Sequence, residues 1–452
     1  MDKVLTKEIL RLSIPSILAN LTVPLVGMVD TAVAGHLDGG SAAIFIGAIS
    51  IGAMLFNLLY WGFGFLRTGT GGLTAQAYGR KSPEECAEIC IRGLGIALVT
   101  AAVILALRRP FLRLALLCVT GTPEVESLAS EYFSIRIWAA PATLSLMTFS
   151  GWFVGMQDSL SSMWKDLVIN GVNIAASILL SFGFGSWGGL GFNGIALGTL
   201  IAQYSGLLYC IAVCVFKYGK TTFGTFSIGQ LPQTFHPRRM RAFFKMNLNL
   251  FGRSLFFIVI YIGYTVLATG LGDLMLACSS IMMQLLMIFS YFTDGFAYAG
   301  EALTGRFIGA EDPAMERKTI KYVFVWSMTI AILFVFVYAT EGTPLLRLLT
   351  DNEEVVGACR KFLPWLMLMP PLGCAAFTWD GIYLGATASR QLCESMAGAA
   401  LAFFSVWYIG VSVLHPDECL SLHVLLGAYF AHLAFRTIWL TALRKKSLFL
   451  RK

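Results

Sequence analysis

Apolar runs recur about every 30 to 40 residues along this chain, separated by short polar connections. Twelve of them are long enough for a helix to cross a bilayer core, which takes roughly 20 residues. They centre near residues 23, 55, 99, 145, 176, 204, 261, 289, 330, 374, 404 and 431. The pattern predicts an all-α polytopic membrane protein with twelve transmembrane helices, numbered here as spans 1 to 12.

The pattern also repeats. Leu73-Thr74-Ala75-Gln76-Ala77-Tyr78-Gly79 with Pro83 returns 230 residues later as Leu303-Thr304-Gly305-Arg306-Phe307-Ile308-Gly309 with Pro313. Pro141, Thr148, Gly151, Gly155 and Ser159 return as Pro371, Thr378, Gly381, Gly385 and Ser389. Glu124-Val125 returns as Glu354-Val355. Six spans fall in each half, and an even number gives both halves the same orientation. Two six-helix bundles related by a parallel repeat are therefore expected, with a cavity between them that opens alternately to each side. The expected divisions are an N-lobe at 1–216, a cytoplasmic linker at 217–245 and a C-lobe at 246–452.

Composition agrees with a membrane protein. Hydrophobic residues make up 57% of the chain and charged residues 13%, where a soluble domain carries roughly 25% charged residues. The net charge of +7 is distributed as the positive-inside rule requires, so it points to the bilayer and not to nucleic acid. With the N-terminus in the cytoplasm, the outer face keeps only Arg108, Arg109, Arg113, Arg136, Arg347, Arg360 and Lys361. Both termini then lie in the cytoplasm. The apolar run after Arg11 continues through Gly35, unlike a cleavable signal peptide. The ten cysteines are scattered without metal-ligand or disulfide spacing, and read as packing residues. No nucleotide-binding or hydrolase motif is present. No cofactor, no metal and no enzymatic activity are expected, so transport must draw on an ion gradient or be passive.

An ionisable residue inside a span is a functional candidate by default. Asp30 lies in span 1, and its counterpart 230 residues on is Ile260, so the halves differ chemically. One reading is a carboxylate snorkelling to the interface. The other is a buried acid that exchanges a cation for a proton, because burial favours the protonated carboxyl. Span 5 carries Asp166, Asn170, Asn173 and Ser177 on one helical face, and span 6 carries Thr199 and Gln203 four apart. Such faces serve helix–helix hydrogen bonding, or, if they meet span 1, surround Asp30 with neutral groups. That pocket suits one proton or one monovalent cation. It is too poor in carboxylates for a divalent metal.

Span 8 aligns Gln284, Tyr291, Asp294, Tyr298 and Glu301. Two acids on an aromatic-lined face can bind a flat cation, although Glu301 could instead pair with Arg306 or Arg67. Span 10 adds Asp380, where the other half has Ser150. Pro15 and Pro24 interrupt the hydrogen bonding of span 1 and are candidate hinges for moving Asp30.

Several of these segments resemble a known family. Val29-Asp30-Thr31-Ala32-Val33-Ala34-Gly35-His36-Leu37 is similar to the first-span signature of the multidrug and toxic compound extrusion (MATE) transporters. Arg67-Thr68-Gly69-Thr70-Gly71-Gly72-Leu73-Thr74-Ala75-Gln76-Ala77-Tyr78-Gly79 resembles their DinF-type bacterial branch. So do Asp294-Gly295-Phe296-Ala297-Tyr298-Ala299-Gly300-Glu301 and Asp380-Gly381-Ile382-Tyr383-Leu384-Gly385. The resemblance runs from about residue 8 to about residue 440. It implies an alternating-access exporter of two six-helix lobes. It maps the span-1 acid onto Asp30, the span-5 Asn onto Asn173 and the span-6 Thr onto Thr199. Many relatives carry Asp four residues after that Asn. This chain has Ser177, which removes a carboxylate from the implied ion site.

The resulting expectation is a monomeric antiporter of a bacterial inner membrane. It would export cationic or amphipathic organic compounds in exchange for a cation, most simply H⁺, with Na⁺ as the alternative. Coupling would rest on Asp30, Asn173, Ser177 and Thr199. Substrate contacts would come from Tyr291, Asp294, Tyr298, Glu301 and Asp380. A lipid-linked precursor flippase of the same wider superfamily is the other candidate. It would need a cavity basic enough for pyrophosphate, whereas the span-embedded charges visible in the sequence are mainly acidic.

Overall fold

The computed structural model describes residues 2–37, 41–117, 122–227, 229, 231–444 and 448. Among the described residues, twelve helices are long and apolar enough to cross a membrane. In order they are α1 Lys3–Leu37, α2 Ala42–Gly79, α3 Pro83–Leu116, α4 Pro123–Gly155, α5 Ser159–Phe182 and α6 Phe192–Phe216. After a polar connection follow α7 Pro237–Thr269, α8 Asp273–Gly309, α9 Pro313–Leu349, α10 Glu353–Gly385, α11 Ser389–Leu414 and α12 Glu418–Arg444. Single 3-10 turns interrupt α2 at Gly62–Gly64, α4 at Ile137–Ala139 and α10 at Arg360–Phe362. Among the described residues there is no β-strand, only an isolated bridge between Phe184 and Trp187. In lipid every backbone polar group must be satisfied within its own segment, which leaves helices as the spanning element for such a sequence.

The chain divides into two compact units, Leu18–Ala242 and Met1–Ile17 with Phe243–Lys452. These bounds differ from the sequence divisions at two places. The first seventeen residues belong with the second unit, because Gly295 of α8 admits α1 at close range. A Cβ on Gly295 would stand 2.8 Å from the Ser13 carbonyl oxygen. Lys318 Nζ also meets Asp2 Oδ2 at 2.6 Å, and Arg306 Nη1 lies 3.4 Å from Glu8 Oε2. The division of α1 thus falls between Pro15 and Pro24, and the helix runs unbroken through both.

Second, the connection after α6 is built into the first unit. Lys217 Nζ and the Tyr218 hydroxyl donate to Asp158 Oδ2 at 2.7 and 2.8 Å. Burial pushes the Asp158 carboxyl up, but these bonds and that of Ser161 outweigh it and hold it below the usual carboxylate range. Further on, Arg92 Nε donates to the Thr234 carbonyl at 3.0 Å, Arg239 pairs with Glu88, and the Phe235 ring covers Gly95.

The internal repeat is written in the backbone as well as in the residues. Lys81 and Glu311, 230 apart, both adopt left-handed φ, at 56° and 53°. Gln157 and Thr387 form a second such pair, at 61° and 54°. The helix caps match too. Ser82 accepts from the Glu85 amide where Asp312 accepts from the Met315 amide, and Thr122 and Asn352 cap α4 and α10. Helix crossings coincide. A Cβ on Gly151 would lie 2.0 Å from the Arg67 carbonyl oxygen, and one on Gly381 would lie 2.0 Å from that of Ala297. Gly155 and Gly385 repeat the approach one turn later, against α2 and α8. Lipid supplies no hydrophobic drive between helices, so close backbone contact through small residues is how such spans associate. Large side chains then fill the remaining space. Phe149, Trp152 and Phe153 do so in the first unit, and Tyr264, Phe362, Phe403 and Leu425 in the second.

Candidate ion-coupling site

Asp30 sits about two turns before the end of α1 with 3% of its surface exposed, so its carboxylate is buried and does not snorkel. Ser177 Oγ donates to Asp30 Oδ1 at 3.4 Å. Asn173 Nδ2 donates to Thr199 Oγ1 at 3.0 Å and lies 3.5 Å from Ser177 Oγ. The Thr199 hydroxyl also donates to the Ile195 carbonyl at 3.2 Å. Asn173, Ser177 and Thr199 are all at most 2% exposed. The four expected coupling residues therefore meet in one place within the first unit. Gly198 makes the meeting possible. Its missing Cβ would stand 2.6 Å from Ser177 Oγ, so any side chain there would push α6 away from α5.

The expectation of purely neutral surroundings needs a correction. Arg136 of α4, assigned to the outer face on sequence grounds, is half-buried with its guanidinium 4.6 Å from the centre of the Phe56 ring. Its Nη1 donates to the Tyr132 hydroxyl at 2.7 Å, and its charge acts on Asp30 through space. Tyr132 in turn reaches Thr199. Tyr132 and Arg136 are four apart on one face of α4, but periodicity does not tell which helix lies opposite, so nothing in the sequence joined them to Asp30. Asn173 Oδ1 is buried and has no hydrogen-bond partner among the described residues. It is a buried acceptor left without a partner in the group of residues around Asp30.

The rest of the span-5 face goes elsewhere. Asp166 pairs with Lys165 at 2.7 Å, and Asn170 donates to the Thr22 hydroxyl at 2.6 Å. On α8, Glu301 is buried, while Tyr291, Asp294 and Tyr298 are half-buried along the same helix. Arg306, a candidate partner for Glu301, pairs with Glu8.

Asp380 departs from expectation. Arg253 Nη2 donates to its Oδ2 at 2.5 Å, and Arg436 donates to the same oxygen. An acid held between two guanidiniums does not present negative charge to a cationic substrate, so that role is withdrawn for Asp380. Among the described residues no group of three or more His, Cys, Asp or Glu is placed to hold a metal ion.

Two repeat-related units of membrane-length helices, with Asp30 buried in the first and Ile260 at the matching position of the second, are the plan of a polytopic membrane transporter. Comparison with known proteins agrees. The MatE family matches residues 15–179 and 250–409. DNA damage-inducible protein F of Escherichia coli K12 is 33% identical, over 88% of this chain and 84% of that protein. The probable multidrug resistance protein NorM of Caulobacter vibrioides is 24% identical over 83% of this chain and 76% of that one. A crystal structure of a MATE in the bent conformation superposes with a TM-score of 0.83 at 18% identity. It covers 98% of this chain and 97% of that one. The chain belongs to the MatE family, and it is a transporter and not an enzyme.

Proposed function

We propose that this protein exports cationic or amphipathic organic compounds in exchange for protons, with Asp30 as the group that carries the proton. The observation behind this reading is the composition of the Asp30 pocket. It offers one carboxylate, the hydroxyls of Ser177 and Thr199, and the unengaged carbonyl oxygen of Asn173. A proton needs only the carboxylate. Na⁺ must shed its hydration shell, and a pocket with one acid and a nearby guanidinium offsets that loss poorly.

Antiport follows from competition between states. Protonation removes the charge of Asp30, which changes its balance with Arg136 and its bond from Ser177. A substrate and a proton that favour opposite states of the protein drive each other across the membrane. The hinges proposed for this change are Pro15 and Pro24, on either side of the point where α1 passes from one unit to the other. Asp294 and Glu301, with Tyr291 and Tyr298 on the same helix, are the proposed contacts for a cationic substrate. The protein is read as a monomer in a bacterial inner membrane with both termini in the cytoplasm.

The ion assignment predicts the effect of a single substitution. Ser177→Asp adds the second carboxylate that Na⁺ lacks. Dye transport by Ser177→Asp in proteoliposomes is expected to rise with Na⁺ concentration, while the wild type stays indifferent to Na⁺. The same vesicles test the antiport itself. Adding a cationic dye to the wild type should collapse an imposed pH gradient. Dye entry without proton movement would overturn the proposal.

A further inference from the structure

The second unit holds a charged cluster that proton coupling does not use. Arg253 of α7, Asp380 of α10 and Arg436 of α12 converge on one carboxylate oxygen, Asp380 Oδ2. Side-chain exposure is 21% for Arg253, 11% for Asp380 and 2% for Arg436. Asp380 is the only acid paired with either arginine among the described residues. Two guanidiniums against one carboxylate leave one positive charge uncompensated.

The neighbouring groups do not restore the balance. Glu394, which like Arg253 lies near Cys393, is engaged with Arg390 at 2.7 Å. His432 is buried beside Arg436 and can contribute only neutral or positive charge. An excess cation inside a membrane protein is costly unless an anion meets it. Unused hydrogen-bonding capacity lies at the same place. The Nε atoms of Arg253 and Arg436 are buried without a hydrogen-bond partner among the described residues, and so is Asp380 Oδ1.

We propose that this cluster binds the carboxylate of an amphipathic substrate, with Arg253 as the guanidinium that the ligand reaches. Asp380 holds both arginines through their Nη2 atoms, and Arg253, with the larger exposed share of its side chain, is the one a ligand can reach. A guanidinium and a carboxylate match as a planar, charge-assisted pair. Arg436 is the positioning partner. It is enclosed, its guanidinium lies 5.8 Å from the centre of the Phe377 ring, and it supplies charge from behind. The inference rests on the export reading above and narrows it. The exported compounds include zwitterions, which carry a cationic end and an acidic end, and Asp380 serves acid recognition instead of cation recognition.

The test uses the purified full-length protein and two dyes that share a cationic ring system. Rhodamine B carries a free carboxylate, and its ethyl ester does not. Binding is followed by fluorescence polarisation. The wild type is expected to bind the acid about tenfold more tightly than the ester, the order of one charge-assisted pair. Arg253→Gln should remove that preference while leaving ester binding unchanged, and Arg253→Lys should retain part of it. Equal affinities in the wild type, or a preference that survives in Arg253→Gln, would overturn the proposal.

Should Arg253→Gln fail to fold, benzoate competition on the wild type decides. Displacement of the acid but not of the ester supports the site, and displacement of neither dye overturns it. Transport of both dyes in proteoliposomes separates this inference from its foundation. A binding preference that depends on Arg253, with neither dye transported, supports the site and counts against export alone.

Discussion

Asp30→Asn is expected to reduce dye export to the level of cells lacking the protein, with insertion and folding intact. Asn keeps the size of the side chain and can still accept the hydrogen bond from Ser177, but it cannot take up or release a proton. The surrounding packing loses nothing, because Asn173, Ser177 and Thr199 keep their mutual bonds. A structural role for Asp30 would give the opposite pattern, a less stable protein that still couples whatever remains folded. Efflux at matched expression, together with the elution profile of the solubilised protein, distinguishes these. Wild-type efflux in Asp30→Asn would remove the carboxylate from the mechanism.

The second large effect is on the fold. Gly381→Ala is expected to destabilise the protein by at least about 1–3 kcal/mol, the usual cost of overpacking. The added methyl has no room, since its position lies 2.0 Å from the Ala297 carbonyl oxygen and 2.6 Å from the carbon. Backbone cannot rotate aside as a side chain can, so α10 and α8 must separate. Gly151→Ala should behave alike at the matching crossing of α4 and α2. Gly171→Ala is the control, because nothing lies within 4 Å of its Cβ position. There, alanine should be neutral or stabilise by up to about 1 kcal/mol. Thermal unfolding of the solubilised variants measures all three. A Gly381→Ala midpoint equal to that of Gly171→Ala would contradict the crossing described here.

Much of this architecture could be read from the sequence, for a physical reason. Spans must be long and apolar, so twelve of them stand out against their polar connections, and the recurrence of Gly151 and Gly155 as Gly381 and Gly385 exposes the repeat. Part of the candidate coupling site was legible too. Asn173 and Ser177 are four residues apart, as neighbours on one helical face must be, and Asp30 and Thr199 are polar in otherwise apolar runs.

What could not be read are the partners that each buried charge finds on other helices. Asp380 looked like a free acid until Arg253 and Arg436, 127 and 56 residues away in sequence, met it. Arg136 read as a charge of the outer face, although it bears on Asp30. Periodicity tells which face a residue is on, but not which helix lies opposite. The division of α1 was hidden for a similar reason. A continuous helix carries no mark of where its packing partners change, and the close approach at Gly295, with the ion pairs of Asp2 and Glu8, locates it.

Proton coupling through Asp30 is the central claim, and ion gradients imposed separately on Na⁺-free proteoliposomes test it most directly. A proton gradient directed out of the vesicles is expected to drive accumulation of a fluorescent organic cation, and Asp30→Asn vesicles should show none. A Na⁺ gradient alone, with pH equal on both sides, should drive no accumulation in the wild type. Accumulation that requires Na⁺ and ignores the pH gradient would contradict the account.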